Sequence, residues 1–248
     1  KGKKLLKIFK LNNILIFYFS YLLLVISIAI FWVLFPAITL IIFLIVASFH
    51  FGKEDTQFLI DEYSYLNQLL FFLKGSLVIL APLLFHFDET IVIFKLLLVE
   101  NEIFYSSLGI IENNKLINIG IVLSTLSSVF LFLKKFEIKK FIIFFDYFSI
   151  IVINYYFTPL IAFTIYFCFL HSVRHSISLI FELDPLRLKN SFFIFFKKAL
   201  PLTSVTATFC LVGLYFLNKN YGFDSSIFKL IFIGLASLTF PHILLEYL

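Results

Sequence analysis

The sequence predicts an all-α protein, a polytopic transmembrane helical bundle of about seven or eight spans. Hydrophobic residues make up 61% of the 248 residues, and 37 residues are phenylalanine. The mean hydropathy is +1.04. A soluble domain of this size cannot keep so many apolar side chains off its surface. We therefore expect one integral-membrane domain over residues 1–248, in a multi-pass protein of the cell membrane.

Apolar runs along the chain mark the expected spans, because a transmembrane helix needs about 20 apolar residues. Eight runs approach this length, at residues 14–35, 37–51, 67–87, 115–133, 141–157, 159–181, 199–217 and 227–248. Pro36 and Pro159 separate neighbouring runs, because proline interrupts the helical hydrogen-bond ladder. Residues 88–104 mix apolar and acidic positions, and we expect them to lie along the membrane interface.

The net charge of +5 comes from basic residues that cluster at the ends of apolar runs. With residues 1–13 in the cytoplasm, two further basic clusters return to the same side, as the positive-inside rule requires. These clusters are Lys134, Lys135, Lys139 and Lys140, and then Arg187, Lys189, Lys197 and Lys198. The acidic loop 88–114 falls outside. The lipid bilayer thus explains the charge, and we expect no nucleic-acid partner.

Two histidines, His171 and His175, lie four residues apart in an apolar run. Residues at this spacing share one face of an α-helix, with β-carbons about 6 Å apart. Ionisable side chains at membrane depth usually face a bundle interior and mark a functional site. In the predicted orientation, His50 and His242 reach a similar depth from two other helices, so we expect these four histidines to converge. For His242 a plain packing role stays equally open.

Histidine-only ligation suits Zn, Cu, Fe or Ni. The two cysteines, Cys168 and Cys210, lie singly in apolar runs, which argues against an iron–sulfur cluster. A histidine site with open positions in a hydrocarbon setting favours ferrous iron that activates O₂ for an apolar substrate. Asp55 is expected to hold a histidine nitrogen that faces away from the metal. Arg174 should point to another helix face and pair with an acidic residue or a carbonyl group.

Several segments together resemble one known family. They are SFHFGKED at residues 48–55, the stretch from Lys74 to His86, TIYFCFLHSVRH at residues 164–175 and GLASLTFPH at residues 234–242. In order and spacing they are similar to the Brp/Blh-type β-carotene 15,15′-dioxygenases, the bacteriorhodopsin-related membrane enzymes. The similarity extends over essentially the whole chain.

The resemblance implies ferrous iron, Fe(2+), held by His50, His171 and His175. It implies oxidative cleavage of β-carotene by O₂ at the central double bond into two retinals, and a product passed to a microbial rhodopsin. Asp55, Tyr166 and His242 are then expected behind the ligands or along the pocket. No catalytic residue beyond the metal site and no organic cofactor is expected.

Family members also carry a Pro-His-Gly-Ala-x-Asp motif on a first helix, which supplies another iron-ligating histidine. No such motif precedes Lys1, and the sequence contains no methionine, not even at position 1. We therefore expect that the natural protein extends further at its N-terminus.

Two other classes of protein compete with this hypothesis. A di-iron hydroxylase or desaturase needs about eight histidines, and the chain has only five. A non-enzymatic membrane protein, either a transporter or a retinal-binding opsin-like protein, is the second alternative. In an opsin, Lys74 in the middle of a predicted span is the lysine expected to form a buried Schiff base. His86, at the opposite interface, is expected to have a capping or interfacial role.

Overall fold

The computed structural model describes residues 14–56, 64–133, 137–183 and 187–247, and within these residues it contains helices and no strand. The helices of the first half are α1 (Ile14–Leu34), α2 (Pro36–Glu54), α3 (Tyr65–Gly75), α4 (Leu77–Phe85), α5 (Phe87–Leu96), α6 (Glu102–Asn113) and α7 (Leu116–Leu133). Those of the second half are α8 (Phe141–Tyr156), α9 (Pro159–Ile165), α10 (Val173–Leu183), α11 (Leu188–Asn218) and α12 (Phe223–Tyr247). A π-helical segment, Tyr166–Ser172, joins α9 to α10.

The all-α membrane fold predicted from the sequence is confirmed. Among the described residues, six helical stretches are long and apolar enough to cross a membrane, and shorter apolar helices cover Phe19–Leu34 and Phe141–Tyr156. Each of the eight predicted runs falls on one of these stretches. Pro36 and Pro159 each occupy the first position of a helix, where the missing N–H costs nothing.

Two boundaries differ from the prediction. Helix α11 begins at Leu188, so the basic segment before residue 199, expected as a loop, is helical. Its Phe-Phe-Ile-Phe-Phe run at residues 192–196 continues the apolar surface of the helix. The basic residues on either side of this run favoured a loop in the prediction. Residues 88–104, expected along the interface, form most of α5 and the start of α6, with a break between the two helices.

Contacts divide the described chain into two compact units. The first comprises the described residues of 1–43, 94–101 and 214–248, and the second those of 44–93 and 102–213. The expectation of a single domain stays a prediction. In the first unit α1 packs against α12, and the Tyr21 hydroxyl donates to the Leu238 carbonyl at 3.1 Å. The fully buried indole of Trp32 donates to the Leu97 carbonyl at 3.0 Å.

In the second unit, α3, α4, α7 and α8 pack around a core of Leu70, Phe71, Leu131 and Ile143. Serines of α7 face α3, where the Ser127 hydroxyl donates to the Leu70 carbonyl at 2.6 Å. Small polar residues that bond across helices are typical of membrane bundles, where apolar packing alone gives little preference for one neighbour.

Helices α2 and α3 approach through two glycines. A β-carbon at Gly52 would lie 1.8 Å from the Phe71 carbonyl oxygen, and one at Gly75 would lie 1.9 Å from the Ser48 carbonyl oxygen. Only residues without a side chain permit backbones this close. Because Gly52 lies between His50 and Asp55, this contact fixes the position of the end of α2 that carries the candidate site.

Candidate metal centre

The candidate site lies in the second unit, where the end of α2 meets the π-helical segment. His50 and His171 are both buried, with 4% and 7% of their surface exposed. Their ring centroids are 5.4 Å apart and the ring planes are inclined at 70°. The structure therefore brings together two of the histidines singled out from the sequence, which lie 121 residues apart in the chain.

Asp55 lies behind the His171 ring. The His171 Nδ1 atom is 3.4 Å from Asp55 Oδ1, and the Tyr166 hydroxyl donates to Asp55 Oδ2 at 2.8 Å. Burial by itself would raise the pKa of the Asp55 carboxyl. The hydrogen bond with His171 and the charges of Lys74, His171 and Arg174 outweigh burial and lower the pKa to about 2. Asp55 is therefore a carboxylate at neutral pH and acts only as an acceptor.

The π-helix explains how two side chains reach one carboxylate. Tyr166 and His171 are five residues apart, a spacing that an α-helix places on different faces. A π-helix closes its hydrogen bonds between residues i and i+5, so these two positions lie almost above one another. Their rings are stacked, with centroids 6.2 Å apart. The expectation of a regular α-helix through residues 159–181 is thus wrong for Tyr166–Ser172.

His175 has a carboxylate partner of its own. Its Nδ1 atom lies 3.0 Å from Glu54 Oε2, and 26% of its side chain is exposed. Glu54 and Asp55 are consecutive residues, so the end of α2 supplies one carboxylate to each of the two histidines of the following motif. The sequence pattern indicated Asp55 but not Glu54, which looked like an ordinary charged residue at a helix end.

Arg174 pairs with acidic residues, as predicted from its position between the two histidines. Its Nη1 and Nη2 atoms donate to both carboxylate oxygens of Asp146 at 2.7 and 2.5 Å. Nη1 also lies 3.2 Å from Asp55 Oδ1. Asp146, on α8, is buried with 5% of its surface exposed. Sequence reasoning missed Asp146, although a lone acidic residue inside an apolar run is the signal that could have found it.

Aromatic rings cover the approach to His171 from the side of α9. Phe167, half-buried, stacks on His171 with centroids 5.8 Å apart and on Phe163 with centroids 5.6 Å apart. Phe51 meets the His171 ring edge-on at 5.0 Å. The surface beside the histidines is therefore apolar. Phe169, two residues beyond Phe167, is 68% exposed.

The other two histidines are His86, at a helix end, and His242, in the first unit. His86 ends helix α4, and its Nδ1 atom is 3.6 Å from Glu89 Oε1. This position agrees with the expected capping role. His242 belongs to the first unit, and its expected convergence on the site stays a prediction.

The histidines of the site provide part of the ligand set that a divalent metal ion needs. With metal–nitrogen bonds of about 2.1 Å, two imidazoles on one ion have ring centres about 4.7 to 6.6 Å apart, and the observed 5.4 Å falls in this range. Ligating histidines usually turn their second nitrogen to a carboxylate, as His171 and His175 do here. Among the described residues, no three His, Cys, Asp or Glu side chains form a ready cluster around one ion. The assignment of all three histidines as ligands stays a prediction.

Comparison with known proteins adds independent information. A family model described as beta-carotene 15,15′-dioxygenase matches residues 2–248. The chain is also similar to the beta-carotene 15,15′-dioxygenase of the uncultured marine bacterium 66A03. The two are 29% identical over 231 residues, which cover 91% of this chain and 77% of the relative. No solved structure matches the chain significantly.

Proposed function

Because the chain belongs to the beta-carotene 15,15′-dioxygenase family, we propose that it is an iron-dependent dioxygenase of the membrane that cleaves β-carotene with O₂ into two molecules of retinal. The observation that carries the proposal is the pair of buried imidazoles, His50 and His171, with ring centroids 5.4 Å apart and the Asp55 carboxylate behind His171. A hydrocarbon substrate calls for such a centre, because it offers no polar group for other residues to act on.

In this proposal His50, His171 and His175 hold Fe(2+), whose chemistry when bound is the activation of O₂. Asp55 and Glu54 accept hydrogen bonds from the Nδ1 atoms of His171 and His175, which fixes each ring and directs its Nε2 atom to the opposite side. Cleavage of one C=C bond by O₂ places one oxygen atom on each carbon and requires no net proton transfer. The polar groups therefore orient the histidines and need not act as acids or bases.

β-Carotene is wholly apolar, so its route to the site runs from the lipid bilayer along apolar side chains. Phe167 offers such a surface, since it is half-buried and stacks on His171. A ligand site of this kind is lined by aromatic side chains and relies on shape to choose the reacting bond. We propose that Phe167 contacts the polyene next to its central double bond.

The test is expression of the protein in cells that produce β-carotene, followed by pigment extraction. We expect bleaching with accumulation of retinal. His50→Ala, His171→Ala and His175→Ala should each lower bound iron and retinal by more than about 100-fold, because loss of a ligand exceeds the 10- to 100-fold effect of outer residues. His86→Ala is the control and should change neither.

Longer apocarotenals in place of retinal would contradict the cleavage position. If His50→Ala or His171→Ala kept the full iron content, the proposed metal centre would be wrong. A purified protein that carries a retinal chromophore on Lys74, without iron, would favour the opsin-like alternative.

A further inference from the structure

We propose that Arg174 and Asp146 are positioning residues, which act through Asp55 to fix the orientation of the His171 ring. The inference rests on the proposed function, since it takes His171 as a ligand of the iron. Arg174 contacts both Asp146 and Asp55, and Asp55 in turn contacts His171, so these contacts lead from the pair to the ring through Asp55.

Asp55 can orient His171 only if its own carboxylate is held. The terminal torsion of an aspartate is soft and roughly two-fold, so an unrestrained carboxylate turns easily. Here both oxygens are engaged. Oδ2 accepts from the Tyr166 hydroxyl at 2.8 Å, and Oδ1 lies 3.2 Å from Arg174 Nη1 and 3.4 Å from His171 Nδ1. The guanidinium is thus the cation that holds the oxygen facing His171.

Arg174 in turn needs an anchor. Its side chain is 24% exposed, and a long flexible side chain with an open route can turn away from Asp55. Asp146 prevents this with two parallel hydrogen bonds of 2.7 and 2.5 Å. A bidentate fork of this kind fixes the plane of the guanidinium as well as its position. Asp146 therefore determines which Arg174 nitrogen faces Asp55.

The charges of the group are balanced. Asp55 and Asp146 are buried carboxylates, and Arg174 and the buried Lys74 are the cations that act on both of them. Removal of one member of a buried ion pair leaves an uncompensated charge, which is strongly destabilising. A neutral substitution of Arg174 or Asp146 can therefore affect folding as well as positioning, so the test includes variants that keep the charge and measures unfolding beside metal affinity.

The experiment uses the full chain with Asp146→Asn, Asp146→Glu and Arg174→Lys. The matched control is Tyr147→Phe, which removes a hydrogen bond to Thr125 (2.6 Å) that links α8 to α7 one residue from Asp146. For each protein, Fe(2+) affinity is measured by chelator competition and the unfolding temperature is measured in the same detergent. Retinal formation is recorded separately.

We expect Asp146→Asn and Arg174→Lys to weaken Fe(2+) binding about tenfold, the lower end of the effect of residues behind metal ligands. Asp146→Glu keeps a carboxylate and should recover most of the affinity. Tyr147→Phe should lower the unfolding temperature without changing the affinity. Arg174→Lys keeps the charge, so it carries the test if Asp146→Asn does not accumulate.

A purely structural role predicts a different result. If Asp146→Asn and Arg174→Lys lower only the unfolding temperature and bind Fe(2+) like the unsubstituted protein, the pair merely joins α8 to α10 and the inference is wrong. If the unsubstituted protein binds no iron, the proposed function fails first and the inference fails with it. The two failures are therefore distinguishable.

Discussion

Asp55 and Glu54 show how two neighbouring residues can serve two different histidines. Both follow His50 at the end of α2, yet Asp55 faces the buried His171, whereas Glu54 faces the partly exposed His175. Adjacent residues at a helix end point in different directions, so each carboxylate reaches one ring. One short segment thereby supplies a candidate ligand and the partners of two others.

At the scale of single residues, Phe167→Ala is expected to change substrate handling more than iron binding. The substitution removes the ring that stacks on His171 and leaves the Nδ1 contact with Asp55 in place. We expect a several-fold higher KM for β-carotene and some cleavage at other double bonds, because the apolar wall no longer fixes the polyene. Product analysis by chromatography measures both effects. Phe209→Ala, at a ring that is 69% exposed on α11, is the control. An unchanged KM and product pattern in Phe167→Ala would show that the polyene lies elsewhere.

At the scale of elements, the π-helix is the feature that assembles the group around Asp55. One additional residue per turn brings Tyr166 and His171 to the same side. Residues 159–170 are almost entirely apolar and give no periodic signal that separates a π-turn from an α-turn. The sequence could therefore predict the span but not its local geometry.

Deletion of Phe169 tests whether the π-helix itself is needed or only the alignment of Tyr166 with His171. Without that residue, the segment can close as an ordinary α-helix in which Tyr166 and His171, then four residues apart, still share one face. We therefore expect the deletion variant to keep Fe(2+) binding. Phe169→Ala keeps the residue count and is the control, since the ring is 68% exposed. Loss of Fe(2+) binding in the deletion variant alone would show that the π-turn itself is required.

The contact between α2 and α3 leads to a second prediction for an element. Gly52→Ala places a methyl group 1.8 Å from the Phe71 carbonyl oxygen, so the helices must move apart. We expect a loss of about 1–3 kcal/mol in the free energy of unfolding, as for other overpacked sites. Gly109→Ala, where no atom lies within 4 Å, should be neutral or slightly stabilising. Thermal unfolding in detergent compares the two variants, and equal behaviour would contradict the close approach.

At the scale of the whole molecule, hydropathy predicted most of the fold because lipid imposes a strong length requirement on each apolar run. The spacing of His171 and His175, together with the expected depth of His50, predicted the meeting of His50 and His171. The roles of Glu54 and Asp146 were not predicted, because the role of a carboxylate depends on which residues pack against it in the folded protein. Tertiary contacts connect α2 to residues more than 100 positions away, and the local spacing of residues does not specify such contacts.

The predicted orientation can be tested by cysteine labelling in a variant whose Cys168 and Cys210 are replaced by serine. Asn114→Cys should react with a membrane-impermeant maleimide in intact cells, because the loop 88–114 is expected outside. Glu137→Cys should react only after the membrane is opened, since its neighbours are the lysines expected in the cytoplasm. Both side chains are exposed. The reverse pattern would invert the whole topology.

The pairing of α1 with α12 has a consequence for biogenesis. The hydroxyl of Tyr21 meets the carbonyl of Leu238, 217 residues later. While the ribosome is still synthesising the intervening chain, α1 lies in the bilayer without this neighbour. The first unit therefore completes its packing only after α12 has been synthesised. Late truncation should then destabilise a helix that was inserted much earlier, and quality-control proteases should recognise it there.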